Sequence, residues 1–163
     1  MNSANLQALK PRPVVFVIED EPGDALLIKL QLLERGPQAF AVHLADSLAA
    51  AKRLLISGLH PDVVLLDLNL PDSAGIATVE RCRALIEAPV VVLTGMDDDT
   101  AIQEAIQSGA EDYLTKGGDG AALRKAVRYA MLRYQRDTDA RLAAIVFTHA
   151  REGILITAAD GSI

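Results

Sequence analysis

"VVLLDLNLPD", residues 63–72, decides the fold. Val63, Val64, Leu65 and Leu66 run without polar alternation, which marks a strand covered on both faces, as in a parallel sheet wrapped by helices. The run stops on Asp67, and "LNLPDSAG" then supplies turn residues. A lone ionised carboxylate at the edge of an apolar layer costs several kcal/mol unless something compensates it. Asp67 therefore demands a partner from elsewhere in the chain.

Outward from this strand the same texture repeats. "VVFVI" (14–18) is a buried strand, followed by "GDALLIKLQLLERG" (23–36) with apolar residues at helical spacing and Gly36 at its end. "AFAVHLA" (39–45) is a weaker strand, and Ser47 is an N-cap for "LAAAKRLLISG". Downstream, "IATVERCRALIE" reads as a helix and "APVVVLTG" (88–95) as the fourth strand. "DDTAIQEAIQSG" is a further helix, "EDYLTK" (111–116) the fifth strand, and "DGAALRKAVRYAMLRYQR" the last long helix. Five strands alternating with five helices over residues 12–136 predict an α/β, doubly wound parallel sheet. Residues 137–148 read as a helical connector with Leu142, Ile145 and Val146 as a narrow apolar stripe. "EGILITAADGSI" reads as a strand, an Asp-Gly turn and the start of a second strand. A strand and a half cannot bury a core, so residues 149–163 read as the opening of an incomplete further domain.

Bulk properties narrow the function. The chain has 163 residues, half of them hydrophobic, with net charge −6 and a pI near 5.0, which argues against nucleic-acid binding by this chain. Cys82, the single cysteine, excludes an internal disulfide and fits a reducing compartment. His43, His60 and His149 are too scattered for a metal cluster. With no apolar leader and no run long enough to span a bilayer, the expectation is a cytoplasmic protein without membrane contact.

In open parallel sheets ligands collect at the carboxyl ends of the strands. There the first strand delivers Glu19, Asp20 and Glu21, the third Asp67, the fourth Thr94 and the fifth Lys116. Clustered carboxylates repel one another, and a hard cation such as Mg²⁺ relieves the repulsion with oxygen ligands. Lys116 favours an ionised Asp67 and can pair with an added phosphoryl group. Thr94 can donate to a phosphoryl oxygen, and a carboxylate is a competent nucleophile towards phosphorus. Each residue has an ordinary reading by itself: turn cap, helix-start acid, strand end, surface charge. Their joint order favours the chemical one.

The motifs "VIEDEPGDA", "LLDLNLPD", "VVLTG" and "DYLTKG" resemble the receiver domain of bacterial two-component response regulators over residues 12–136. That resemblance implies a flavodoxin-like (βα)5 sheet in the order 2-1-3-4-5. It implies Asp67 as phospho-acceptor, Glu19, Asp20 and Asp67 as Mg²⁺ ligands with the Asn69 carbonyl, Thr94 and Lys116 as switch hydroxyl and phosphate-binding lysine, and Tyr113 as a rotamer switch. The implied phosphoryl donor is a histidine kinase or phosphotransfer protein. No independent enzyme activity is expected beyond self-phosphorylation and self-dephosphorylation. Gly117 departs from the family, which usually has a proline there, often with a cis bond. Met96 cannot orient attacking water, so slow self-dephosphorylation is expected. "AIVFTHAREGILITAADGSI" resembles the entry to a PAS sensor domain, implying a longer signalling protein with a cyclic-di-GMP-turnover or histidine-kinase output. The last helix and connector are the expected surface for a homodimer.

Three other readings compete. A degenerate receiver acting as a phosphorylation-independent interaction module has Gly117 in its favour. A Mg²⁺-dependent aspartyl phosphatase of the haloacid-dehalogenase type would need a second acid two residues after its nucleophile, where Asn69 stands. A flavodoxin-like cofactor binder would need a Ser/Thr/Gly-rich phosphate loop, and "EDEPGD" would repel a phosphate.

Overall fold

The computed structural model describes residues 12–36, 39–95 and 99–159, and the chain divides into two units, Met1–Met131 and Leu132–Ile163. The first unit alternates strands and helices: β1 (Val14–Ile18), α1 (Pro22–Leu33), β2 (Ala41–Ala45), α2 (Leu48–Ile56), β3 (Val63–Asp67), a short hairpin β4 (Asn69–Leu70) and β5 (Ser73–Ala74), α3 (Ala77–Leu85), β6 (Val90–Thr94), α4 (Asp99–Gln107), β7 (Asp112–Thr115), and α5 (Gly120–Ala159), which crosses the unit boundary. The main sheet is parallel throughout, in the order β2-β1-β3-β6-β7. With the hairpin strands set aside, this is the expected order 2-1-3-4-5.

Period-two alternation on the strands divides the core in two. Phe16, Ile18, Val64, Leu66, Val90 and Val92 pack on one face with Ala51 of α2, Val79 and Cys82 of α3 and Ala105 of α4. Val15, Val17, Val63, Leu65, Val91 and Leu93 pack on the other with Ile28 and Leu32 of α1 and Leu123 and Val127 of α5. All five residues of β3 are buried, as its unbroken apolar run predicts. Cys82 is fully buried, and burial pushes its thiol up to about 12, so it is inert at neutral pH.

Helix ends follow their sequence signals. Ser47 caps α2 by accepting from Ala50 N, and Gly36, at φ +107°, follows α1. Two findings differ from the sequence reading. Residues 69–74, expected as turn, form the β4–β5 hairpin. In the second unit the helix continues through Ala159, where a strand was expected from Gly153 onward. An isolated segment has no neighbouring strand to pair with, whereas a helix satisfies its backbone groups internally. Side chains from His149 onward, the turn at residues 160–161 and Met96 lie outside the described residues. Among the described residues no helix is long and apolar enough to cross a membrane.

Candidate functional site

The parallel register builds the site. Ile18 of β1 pairs with Leu66 of β3, so the next residues along, Glu19 and Asp67, emerge side by side at the carboxyl end of the sheet. Asp67 pairs with Leu93, one residue before Thr94. Thr94 pairs with Thr115, and Lys116 N donates to Thr94 O at 2.8 Å, which brings Lys116 to the same rim.

There the Lys116 ammonium meets Glu19 Oε2 at 2.6 Å, Asp67 Oδ2 at 3.0 Å and Asp24 Oδ2 at 3.3 Å. Glu19, Asp20 and Asp67 each offer a carboxylate oxygen, all within 4.8 Å of one another. Glu19 and Asp67 are buried and Asp20 is exposed, which leaves the cluster open to solvent on one side. Glu19 Oε1 accepts from Glu21 N at 3.1 Å, and Asp67 Oδ1 from Asn69 N at 3.3 Å. Glu19 Oε2 is buried, with the Lys116 ammonium against it at 2.6 Å.

Burial, reinforced by the Asp67 charge, raises the Glu19 carboxyl above its ordinary value despite the opposing pull of Lys116 and the Glu21 N–H. Burial alone would lower Lys116, but Glu19 and Asp67 outweigh it and hold the ammonium above its usual range. Three carboxylates thus meet one cation, with the Asp20 carboxylate beside two of them. The all-oxygen donor set and its spacing fit a hard divalent cation such as Mg²⁺.

Of the residues named from sequence, Glu19, Asp20, Asp67 and Lys116 converge directly, and Thr94 and Asn69 sit on the same rim. Tyr113 lies on β7 opposite Val92, with its side chain more than a third exposed. Gly117 adopts φ +76°, a left-handed conformation that favours glycine, and no described residue has a cis peptide bond.

Supporting residues went unnamed in the sequence. Asp24 is the third carboxylate on Lys116; it lies in the first turn of α1, where Glu21 caps the helix by accepting from Asp24 N at 2.7 Å. Asp72 reaches across from the loop after β3 and accepts from Leu48 N (3.1 Å) and Ala49 N (2.8 Å), tying that loop to the start of α2. Although its slight burial opposes the effect, these backbone donors lower the Asp72 carboxyl. The buried Thr78 hydroxyl bridges Leu68 O (3.2 Å) and Ser73 Oγ (2.9 Å) beneath the loop that carries Asn69. "PD" and Thr78 gave only turn and helix signals, because their partners are set by the crossovers.

Comparison with known proteins agrees with this architecture. The chain belongs to the response regulator receiver domain family, which matches residues 15–128. It is 40% identical over 119 residues to the transcriptional regulatory protein KdpE of Mycobacterium tuberculosis, covering 71% of this chain and 51% of that protein. Among solved structures it resembles the N-terminal domain of a response regulator/sensory box/GGDEF three-domain protein from Carboxydothermus hydrogenoformans, with TM-score 0.65 and 25% identity over 77% of this chain and 98% of that one. It also resembles the signal receiver domain of an HD domain-containing protein from Pseudomonas fluorescens Pf-5, with TM-score 0.67 and 26% identity over 83% of this chain and 98% of that one. The chain spans about half the length of the curated KdpE relatives it matches.

Proposed function

We propose that this receiver accepts a phosphoryl group on Asp67 from a histidine kinase or phosphotransfer protein and uses it to switch an output carried elsewhere. The observation behind this reading is the Lys116 ammonium 3.0 Å from Asp67, beside carboxylate oxygens of Glu19, Asp20 and Asp67 within 4.8 Å of one another. Asp67 Oδ attacks phosphorus, and the bond from phosphorus to the donor's nitrogen or oxygen breaks as the donor leaves. Lys116 balances charge on the phosphoryl oxygens, and the Thr94 hydroxyl donates to one of them. Glu19, Asp20, Asp67 and the Asn69 carbonyl are the groups that would hold Mg²⁺. Bound there, the ion supplies charge neutralisation for the transferring group.

The switch is a population shift: Thr94 at the end of β6 and Tyr113 of β7 exchange between arrangements that differ in affinity for the phosphoryl group. The PAS-like reading of residues 149–163 accords with the sensory box named in the Carboxydothermus protein, and a cyclic-di-GMP-turnover or kinase module would follow it. The curated KdpE relatives, in contrast, are named as transcriptional regulators. Exposed Leu142, Ile145 and Val146 of the second unit suit a second copy of this chain. The cytoplasm is the compartment this role requires.

Intact-mass spectrometry after incubation with Mg²⁺ and acetyl phosphate tests the reading. Wild type gains one base-labile phosphoryl group and Asp67→Ala gains none. Absence of the adduct in wild type, with beryllofluoride also failing to bind, would leave a phosphorylation-independent interaction module.

A further inference from the structure

Lys116 sits at the start of "KGGDG", a segment poorly suited to hold a side chain still. On its amino side the backbone is fixed, with Lys116 N donating to Thr94 O at 2.8 Å. On its far side Asp119 opens α5, Oδ1 accepting from Ala121 N at 3.1 Å. Between them stand Gly117, at φ +76°, and Gly118. Glycines have the widest backbone freedom of any residue. One long-range hydrogen bond bridges this gap: Gln31 Nε2, from α1, donates to Gly118 O at 2.9 Å across 87 residues of sequence.

The backbone of Gln31 is held as well, through its carbonyl oxygen. Arg124, buried in the first turns of α5, donates through Nη1 to Gln31 O at 2.5 Å and to Glu34 Oε2 at 2.6 Å. The approach depends on Gly120, where a Cβ would lie 3.1 Å from Arg124 Nη1 and 3.2 Å from Gln31 Cβ. Gln31, Lys116, Gly117, Gly118 and Leu123 also line a cavity of about 230 Å³.

We infer that Gln31, braced by Arg124, is a positioning residue that fixes the Gly117–Gly118 loop and so sets Lys116 against Asp67 for phosphoryl transfer. The inference rests on the phospho-acceptor reading above. Gln31 touches neither the reacting carboxylate nor any metal ligand, so its loss should slow transfer without altering ion binding. A side chain displaced by a fraction of an ångström from its productive geometry is enough to do this.

The test compares wild type, Gln31→Leu and Glu34→Gln as full chains, following phosphoryl loading from acetyl phosphate over a range of Mg²⁺ concentrations, with unfolding midpoints alongside. Gln31→Leu keeps the side-chain bulk and removes the donor. Its loading rate at saturating Mg²⁺ is expected to fall about three- to tenfold, the worth of one hydrogen bond. The Mg²⁺ concentration for half-maximal loading should not move. Glu34→Gln, which leaves the Arg124–Gln31 bond in place, should load like wild type. Equal loading by wild type and Gln31→Leu would overturn the inference. So would a loss matched by weaker Mg²⁺ dependence and a lowered unfolding midpoint, because that is general loosening. If wild type itself does not load, the phospho-acceptor reading fails and the positioning role falls with it.

Discussion

Lys116 and Arg124 are both largely buried cations that meet carboxylates, yet their surroundings differ in kind. Arg124 pairs with the single carboxylate of Glu34 at 2.6 Å and spends its remaining contact on the Gln31 carbonyl. Its charge is matched one to one, so the pair works as architecture. Lys116 faces Glu19, Asp67 and Asp24, and the Asp20 carboxylate lies beside those of Glu19 and Asp67. A buried cluster whose charges do not balance is unstable by itself. It makes physical sense when a further cation and a transferring group complete it.

The contrast breaks most readily at Lys116. Replacing it (Lys116→Met) leaves Glu19 and Asp67 facing each other without a counter-ion, and removing one partner of a buried pair costs about 3 kcal/mol or more. Denaturant unfolding should show that loss in metal-free buffer and a partial recovery in Mg²⁺. If the variant were as stable as wild type, the cluster would not be the strained site described.

The pH dependence separates the two signs within the same cluster. Burial foremost raises Glu19 above 4.5, so the folded protein holds the extra proton, and stability falls as pH rises from 4.5 through its raised value. Lys116 is raised above 10.5, so its contribution is complete below 10.5 and lost as pH climbs through its higher folded value. Glu19→Gln should flatten the acid-side slope of metal-free protein and shrink the alkaline loss to the share that Asp67 supports. An unchanged acid-side slope would assign the strain to another group.

Smaller effects sharpen the boundary between site and scaffold. Asp72→Ala removes two acceptors from the start of α2 and should cost about 1 kcal/mol, the typical value of a helix cap. Glu34→Gln breaks a pair whose carboxylate side chain is 66% exposed, and its expected cost stays below about 1 kcal/mol. A larger loss there would mean that the Arg124 pair carries more than scaffold strength.

These regions also differed in how much the sequence revealed. β1, β3 and β6 announced themselves because both faces of a central parallel strand are buried, which leaves an unbroken apolar run. Glu19, Asp20, Asp67 and Lys116 followed, since strand ends in such a sheet converge by geometry. Asp24 and Asp72 were hidden: each contact depends on where a crossover brings a helix, and neither residue type differs from an ordinary helix-start or turn acid. Gln31 was hidden for the same reason, its partner lying 87 residues away. The segment from Gly153 to Ala159 misled because β-branched and apolar residues favour a strand only where a neighbouring strand exists. Among the described residues the chain there continues as α5.

The most direct test of the unbalanced cluster is the thermal unfolding midpoint of the wild-type protein as MgCl2 rises at constant ionic strength. A cation that binds the folded cluster and not the unfolded chain must raise the midpoint progressively with concentration. The expected result is that rise, abolished in Asp67→Ala. A midpoint indifferent to Mg²⁺ in the wild type would contradict the reading of Glu19, Asp20 and Asp67 as a cation site, and with it the reason for placing Asp67 at the end of a buried strand.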